Sequence, residues 1–395
     1  MFEHVETYPG DPILSLMDDY QRDPRAGKVN LSIGFYYDEH GEVPVLPSVR
    51  RAKALLDARA ESANLYLPMD GHPGFREAVQ GYLFGDLGGA DSERIVTLQS
   101  VGGSGALRVG ADFLKRYYPQ SQVWVSDPTW DNHLAIFQGA GFAVNRYPYL
   151  DASGQAVDFA AMLDVFGKLP AHSIVLLHAC CHNPTGVDLT PEQWQRLYAL
   201  FRERSLIPYL DAAYLGLGEG LDADTYAIRA LARSGITGLV SNSFSKVFSL
   251  YGERVGSLSV VCKDGEIARR VAGQLKGTVR TNYSNPPRHG AELVATIFGD
   301  AALTALWRQE LDAMRVRMVG MRQALFDEVQ RIDARREVGY LLRQKGMFSY
   351  TGLSADAVDR IREQHGVYLI RSGRMCVAGL NESNLAVVAR ALSDH

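Results

Sequence analysis

The chain has 395 residues, of which 46% are hydrophobic, so it can form two domains, or one large domain with a smaller companion, around a sizeable core. Its net charge of -4 argues against a general nucleic-acid or anionic-membrane partner. The four cysteines lack disulfide-framework and zinc-site spacings, and no run reaches the roughly 18 apolar residues of a membrane span. We expect a cytoplasmic protein that binds neither nucleic acid nor membrane and holds no metal.

The first part of the chain predicts a flexible arm, a short helix and one strand before the main alternation begins. Residues 12–27 carry apolar side chains at near-helical spacing, and residues 29–34 alternate like a strand. Amphipathic helices are expected at 48–60 and 74–84, separated by an exposed aromatic loop at 64–71.

The middle of the chain alternates between strand-like and helix-like segments. We predict strands at 94–99, 123–126, 143–147, 174–178, 206–210 and 238–241, and helices at 106–117, 130–139, 159–168 and 191–204. The last helix opens with Thr190 as N-cap and Pro191 at its first position. This alternation predicts a mostly parallel sheet covered on both faces, with ligands at the carboxyl ends of its strands.

The remaining segments lose the long parallel pattern. We predict a strand at 254–261, helices at 266–276, 290–298 and 302–331, and then shorter strands and helices at 347–350, 354–364, 367–370, 375–378 and 382–392. The change at the long helix indicates the start of a smaller α+β domain.

The loop after the strand at 238–241 carries the strongest chemical signal. Lys246 lies among serines, and Arg254 follows eight residues later. Hydroxyls and a guanidinium bind phosphate through charge-assisted hydrogen bonds. A lysine beside another cation in a partly desolvated pocket becomes a nucleophile toward carbonyls. From this stretch alone, an exposed serine-rich loop remains the alternative.

Two further loops follow predicted strands. Gly102–Gly105 forms a strand-to-helix turn that suits an anion, although it matches no nucleotide fingerprint and could be a turn that simply requires glycine. Trp130 could stack on a planar ligand or belong to the core. His133 could orient a carboxylate or be a helix histidine with satisfied hydrogen bonds.

The last two loops carry an amide and a carboxylate. His178–Gly186 contains vicinal cysteines and histidines, but their spacing does not suit a tetrahedral metal ion, so we interpret its end as a turn that fixes Asn183 over a pocket. Asp211 ends an apolar strand, with Tyr214 three residues later. A buried aspartate needs a cationic partner, for which a protonated pyridine nitrogen would serve, whereas capping the next turn is the alternative. Together these loops supply the groups that pyridoxal 5'-phosphate (PLP) requires.

With these motifs, the chain resembles the class I, fold type I, PLP-dependent aminotransferases of the aspartate and aromatic-amino-acid branch. The resemblance runs end to end and rests on HNPTG at 182–186, DAAY at 211–214, SNSFSK at 241–246, YGERVG at 251–256, NYSNPP at 282–287 and SGRMCVAG at 372–379. It implies an α/β fold with a mostly parallel seven-stranded sheet covered by helices, plus a smaller α+β domain. It also implies an arm at 1–14, a large PLP-binding domain at 45–310, and a small domain at 15–44 with 311–395.

The resemblance implies roles for individual residues. Lys246, Asp211 and Tyr214 are the implied catalytic residues: Lys246 binds the cofactor covalently and moves the substrate proton, and Asp211 pairs with the pyridinium. Other cofactor contacts are implied for Gly103, Ser104, Trp130, Asn183, Ser243, Ser245, Arg254 and, from the other subunit, Tyr66. Substrate contacts are implied for Gly34, Trp130, Asn183, Arg280 and Arg374, and support behind the site for His133 and His178. A homodimer with shared active sites follows.

The residues at the entrance of the site, together with Arg280, indicate which substrates to expect. By the resemblance, Phe35, Tyr37, Val43 and Leu65 correspond to the substrate entrance, which aspartate aminotransferases tend to line with polar residues. An apolar rim there would favour aromatic side chains, because buried apolar area contributes about 25 cal/mol per Å². Arg280 still permits aspartate. We expect a ping-pong aminotransferase that moves the amino group of tyrosine, phenylalanine or aspartate to 2-oxoglutarate.

Two other functions share parts of this sequence pattern. A PLP lyase or decarboxylase would also use Lys246 and Asp211, but it would release ammonia, carbon dioxide or a thiol. A PLP-binding sensing domain of a regulator would need an attached DNA-binding segment, which this sequence does not show.

Overall fold

The computed structural model describes residues 1–7, 10, 12–58, 65–151 and 153–395. The chain divides into two compact units, one formed by Met1–Val43 with Arg317–His395 and the other by Pro44–Val316. The expected three-part division at 14, 45 and 310 stays a prediction. Part of the predicted arm, the end of the helix predicted at 48–60 and Asn64 of the predicted loop lie outside the described residues.

The elements alternate along the larger unit as predicted. The strands are β1 Val29–Asn30, β2 Ile95–Val101, β3 Val123–Asp127, β4 Val144–Pro148, β5 Ile174–His178, β6 Ile207–Ala212, β7 Gly238–Ser243, β8 Val255–Val261, β9 Phe348–Tyr350, β10 Val367–Tyr368 and β11 Arg374–Cys376. The helices are α1 Pro12–Arg22, α2 Pro47–Asp57, α3 Pro73–Phe84, α4 Gly89–Glu93, α5 Gly102–Tyr117, α6 Asp131–Gly139, α7 Phe159–Lys168, α8 Pro191–Arg204, α9 Leu221–Asp224, α10 Tyr226–Arg233, α11 Gly265–Asn282, α12 His289–Phe298, α13 Ala301–Ile332, α14 Tyr340–Arg343, α15 Ala355–His365 and α16 Leu385–Ser393.

The larger unit is built on one seven-stranded sheet. Its strand order is β2-β8-β7-β6-β5-β3-β4, and only β8 runs antiparallel to its neighbours. The predicted mostly parallel, helix-covered sheet is therefore confirmed. Because β3, β5, β6 and β7 run in the same direction, their carboxyl ends meet at one edge.

Local sequence explains where several of these helices begin. Thr190 and Gln193 form a reciprocal capping box at the start of α8, with Pro191 at the first position. The Asp158 side chain accepts from the backbone N–H of Ala161 at the start of α7. Both boundaries agree with the sequence prediction because capping chemistry is local.

The smaller unit holds two short sheets and its own core. β1 pairs parallel with β10, and β11 pairs antiparallel with β9. Leu31, Leu325, Ile361 and Met375 are fully buried in one apolar cluster. Helices and strands are mixed here as the sequence predicts.

Some segments differ from the sequence prediction. The strand expected at 29–34 stops at Asn30, because the Asn30 side chain accepts from the backbone N–H and hydroxyl of Ser32 and turns the chain. The predicted turn at Gly102–Gly105 is the first turn of α5. Helices α4, α9, α10 and α14 were not predicted, since each is short.

Among the described residues, no single helix has the length and hydropathy of a membrane span, whereas α12 and α13 pass that test only as a pair bent by 101°.

Candidate active site

The carboxyl edge of the large sheet gathers most of the residues predicted from sequence. β3 ends at Asp127, β5 at His178, β6 at Ala212 and β7 at Ser243, and the loop holding Lys246 follows β7. β6 lies between β5 and β7, so that His178, Asp211 and Ser241 occupy one register across the three strands. Residues far apart in sequence are thereby placed side by side.

A buried carboxylate forms the centre of this edge. Asp211 is 5% exposed, with Oδ2 lying 2.9 Å from Nε2 of His133. Nδ1 of His133 lies 2.9 Å from the hydroxyl of Thr129, and the Ser241 hydroxyl donates to Oδ1 of Asp211 at 3.0 Å. Both carboxylate oxygens are thus positioned, and His133 is held from both sides.

The electrostatics keep Asp211 ionised. Burial alone raises the pKa of this carboxyl, but the hydrogen bond and charge of His133, together with His178 and Ser241, lower the pKa below its ordinary value. Desolvation and the nearby His133 together lower the pKa of His178 to about 3, although Asp211 opposes them, so that His178 is neutral near pH 7. A buried carboxylate in this setting suits a cationic ring nitrogen.

The lysine loop is anchored by aromatic packing. Phe248 stacks on Trp307 with ring centroids 4.7 Å apart, and the Trp307 indole N–H donates to the Val247 carbonyl at 2.9 Å. Phe244, on the other side of Lys246, is fully buried. Lys246 itself is half-buried, with Nζ 5.8 Å from the ring centroid of Tyr214. The amine is therefore presented from a rigid segment.

An amide and a phenol lie together beside it. The Asn183 amide donates to the Tyr214 hydroxyl at 3.3 Å. The loop that carries Asn183 is fixed by Asp188, whose two oxygens accept from the backbone N–H groups of Cys181 and His182 at 2.7 and 2.8 Å. Sequence reasoning missed Asp188, although a carboxylate that follows a loop of free backbone N–H groups is a recognisable signal.

The predicted phosphate residues converge at the start of α5. The Gly102 N–H donates to the Arg254 carbonyl at 2.9 Å, and Nη1 of Arg254 donates to the Ser245 hydroxyl at 3.3 Å. A Cβ at Gly102 would lie 2.5 Å from Nη2 of Arg254, and one at Gly103 would lie 3.1 Å from Cβ of Ser243. Gly102 has a φ of 64° and leaves no room for a side chain beside Arg254, so the turn requires glycine there, and its role as an anion site stays a prediction.

Ser104 lies in the first turn of α5, so the free backbone N–H groups of that turn and the hydroxyl and guanidinium donors share one region. This donor set suits a dianionic phosphate.

The position of Trp130 is compatible with both roles considered from the sequence, stacking on a planar ligand and packing in the core. It precedes α6, is half-buried and packs against the apolar core, and its ring meets the His133 ring edge-on at 5.2 Å. It therefore lies beside the histidine that supports Asp211.

Tyr66 and Arg280 differ from the residues above. Tyr66 is 92% exposed, and Arg280 donates to the Ser284 hydroxyl at the end of α11. Among the described residues, neither makes a hydrogen bond, ion pair or ring contact with Asp211 or Lys246. Exposure of this kind leaves both side chains available to a second chain.

In the smaller unit, Gly34 and Arg374 meet through one aromatic ring. Arg374 is 5% exposed and donates to the Ser32 carbonyl at 2.7 Å, and its guanidinium lies 4.5 Å from the Phe348 ring centroid. A Cβ at Gly34 would lie 2.9 Å from Cζ of Phe348. Burial excludes a surface salt bridge as the role of Arg374. By contrast, Arg371 forms such a bridge with Asp359 at 2.9 Å.

Among the described residues, two clusters offer atoms that could bind a metal ion. Within each cluster, these atoms all lie within 4.8 Å of one another. One is His133, His178 and Asp211, and the other is Cys180, Cys181 and Asp224. In the first group, His133 already bonds to Asp211, and in the second, Asp224 accepts from three backbone N–H groups. The expectation of no metal stays a prediction.

Comparison with known proteins identifies the family. The sequence-family model for aminotransferase class I and II matches residues 26–392. The chain belongs to this aminotransferase family.

Individual aminotransferases are similar over their full length. The chain is 59% identical to the tyrosine aminotransferase of Klebsiella pneumoniae and 47% identical to an aspartate aminotransferase of Pseudomonas aeruginosa, with at least 98% of each chain covered. It also superposes with a TM-score of 0.97 and 46% identity on the aromatic-amino-acid aminotransferase of Burkholderia pseudomallei covalently bound to pyridoxal phosphate, covering 100% of this chain and 99% of that one. The recognition made from sequence motifs is confirmed.

Proposed function

We propose that this aminotransferase moves the amino group of tyrosine, phenylalanine or aspartate to 2-oxoglutarate in a ping-pong reaction that uses PLP. The observation that carries the proposal is the buried, ionised Asp211 supported by His133 beside the anchored Lys246 loop. The similarity to tyrosine and aspartate aminotransferases supports the donor range.

The residues present fit the cofactor. The close approach at Gly102 and Gly103 brings backbone N–H groups, hydroxyls and the Arg254 guanidinium together, as a phosphate requires. Asp211 supplies a buried anion for the ring nitrogen. When bound, PLP supplies an electron sink for the carbanion formed at the substrate α-carbon.

Each of the surrounding side chains has a separate proposed role. The amine of Lys246 would hold the cofactor covalently and, once released by the incoming amino acid, would accept and return the proton of the substrate α-carbon. Asp211, held by His133, would pair with the ring nitrogen and favour its protonated form, and Asn183 and Tyr214 would donate to the ring oxygen. Arg374 binds the substrate α-carboxylate, helped by Gly34, because its planar guanidinium fits a carboxylate bidentately.

Substrate selection is assigned to the entrance residues and Arg280. Phe35 and Tyr37 meet edge-on with centroids 6.3 Å apart, and Val43 and Leu65 are exposed. Apolar side chains here favour an aromatic substrate, because its ring loses contact with water on binding. Arg280 receives the second carboxylate of aspartate or 2-oxoglutarate.

We also propose that the protein forms a homodimer with shared active sites, and that it is located in the cytoplasm. The exposure of Tyr66 and Arg280 supports contributions of both to the partner's site. The four cysteines are buried and none of them forms a disulfide in the described part of the chain, in keeping with a reducing compartment.

Changing Arg280 to alanine tests the substrate assignment. We expect kcat/KM for aspartate to fall roughly 100-fold, because a charge-assisted contact with the second carboxylate is lost, whereas phenylalanine has no such group. Steady-state kinetics with both donors measure this, together with the stoichiometry of oxo acid against ammonia and carbon dioxide.

Arg269→Ala is the matched control, since Arg269 is exposed on the same helix, α11. Equal losses for both donors in Arg280→Ala would refute the side-chain role of Arg280. Release of ammonia or carbon dioxide in place of amino-group transfer would refute the reaction class.

A further inference from the structure

A large apolar cavity lies at the amino ends of the parallel strands β6 and β7, opposite the carboxyl ends where the catalytic residues lie. Its volume is about 600 Å³, within the range of small-molecule sites. Ile207, the first residue of β6, and Leu239, near the start of β7, form part of its wall, as does Cys262 just after β8. Asp211 lies four residues further along β6, roughly 13 Å away at 3.3 Å per residue. The cavity is therefore separate from the site built around Asp211 and Lys246.

The inner wall of the cavity is apolar and rich in rings. Phe201 is fully buried, and Leu114 and Val260 are each 2% exposed. Phe113 and Tyr117 lie with their ring centroids 5.0 Å apart on successive turns of α5. Aromatic walls favour a flat aromatic guest, because rings stack offset or meet edge to face.

The mouth of the cavity is positively charged. Arg202, Lys263 and Arg270 line it and are exposed, and no aspartate or glutamate is among the described lining residues. Arg270 has a partner in Glu266, but the two atoms lie 3.6 Å apart and both side chains are at least 70% exposed, so this pair is weak.

The backbone at the mouth is also uncommon. His172 and Ser205 lining the cavity have φ values of 65° and 55°, in the left-handed region that non-glycine residues seldom adopt. The His172 N–H donates to the Ser205 carbonyl at 2.8 Å, which ties the two together, and the His172 ring packs on Tyr118 with centroids 5.3 Å apart. Ser205 takes this conformation as the C-cap that ends α8, so the end of that helix and the His172 turn fix this side of the cavity.

We propose that this cavity is a second ligand site, distinct from the active site, which binds a small aromatic anion with its ring system in the cavity and its carboxylate or sulfonate at the mouth. The apolar depth supplies the binding energy for the ring, and Lys263 and Arg270 supply charge-assisted contacts for the anion. A cationic or dicarboxylic small molecule would not match both parts.

The test uses the PLP-loaded protein and the fluorescent aromatic sulfonate 8-anilinonaphthalene-1-sulfonate as probe. We expect one high-affinity binding event that persists when excess 2-oxoglutarate fills the active site. In the double variant Lys263→Glu, Arg270→Glu, the dissociation constant should rise roughly tenfold or more, because two charge-assisted contacts become repulsive. Arg269→Glu is the matched control: Arg269 is exposed on the same helix but does not line this cavity.

A second variant tests the cavity without changing charge. Thr237 is exposed and lines the cavity, so Thr237→Trp should fill it and weaken probe binding while turnover with phenylalanine stays as in the unchanged protein. Unaltered probe binding in both cavity variants would overturn the proposal, and so would an equal loss in Arg269→Glu. Displacement of the probe by 2-oxoglutarate would place it in the active site instead. A change of sedimentation coefficient in the cavity variants would show that a second copy of the chain covers this face, which would also overturn the proposal.

Discussion

Asp211 is held ionised although it is buried, because hydrogen bonds from His133 and Ser241 outweigh the cost of desolvation. The sequence correctly predicts the two apolar strands that place Asp211 and Lys246, while the roles of both residues stay predictions. It could not predict that Ser241 reaches Asp211, because that contact depends on the register between β6 and β7. The contact of Phe348 with Gly34 and Arg374 was missed for the same reason, since it joins segments remote in sequence.

The buried His178 makes stability depend on pH. Its pKa is about 3 in the folded protein, against an ordinary value of 6.5, so between these values the unfolded chain binds more protons than the folded one. Stability is therefore retained above pH 6.5 and falls as the pH is lowered toward 3. In urea titrations between pH 7 and pH 5, His178→Asn should flatten this fall by up to about 1.4 kcal/mol per pH unit.

His40→Asn serves as the control, because that side chain is 76% exposed. An unchanged pH slope in His178→Asn would contradict the account of a neutral, desolvated His178.

Helix α5 and strand β6 illustrate packing that sets the position of the site. Tyr209 on β6 is fully buried, and its hydroxyl donates to the Ala106 carbonyl at 2.9 Å. The strand and helix are each predictable from their apolar period, and the boundaries of capped helices such as α8 follow from local chemistry. The early end of β1 was not predictable, because the side chain of Asn30 turns the chain at Ser32. Helix α10 was missed because it has only eight residues, although its buried residues recur at helical spacing.

Gly110 allows Tyr209 to reach α5. A Cβ at Gly110 would lie 2.1 Å from the Tyr209 hydroxyl oxygen, so Gly110→Ala must displace a ring on the strand that carries Asp211. We expect a loss of roughly 1–3 kcal/mol in the free energy of unfolding, the usual cost of overpacking. Urea denaturation measures it.

Gly81→Ala is the comparison, since nothing lies within 4 Å of a Cβ at that position in α3. If Gly110→Ala were as stable as Gly81→Ala, the packing argument for α5 against β6 would fail.

At the scale of the whole molecule, the chain divides into two compact units, each with its own core. The residues proposed to hold PLP belong to the larger unit, and Arg374 and Gly34 belong to the smaller unit. Sequence motifs predicted both sets because they span the chain from end to end. They could not predict the cavity at the far edge of the sheet, which is formed by ordinary apolar residues with no motif.

The proposed dimer has a direct physical test. Sedimentation velocity of the PLP-loaded protein should give a mass twice the 43.5 kDa of one chain. Mixing Lys246→Ala with Arg280→Ala protein should restore aspartate turnover, because a shared-site dimer then contains one site with neither change. A monomer mass, or no restoration when subunits exchange, would contradict shared sites.

Amino-group transfer depends on the amine of Lys246 in the proposed reaction. In Lys246→Ala, the visible absorption of the lysine-bound cofactor should disappear, and single-turnover conversion of phenylalanine to its oxo acid should slow by roughly 100-fold to 10,000-fold, because the group that moves the α-proton is lost. Lys168→Ala, which changes a side chain that is 72% exposed, should leave both unchanged. An Lys246→Ala protein that keeps the absorption band and full transamination would contradict the account.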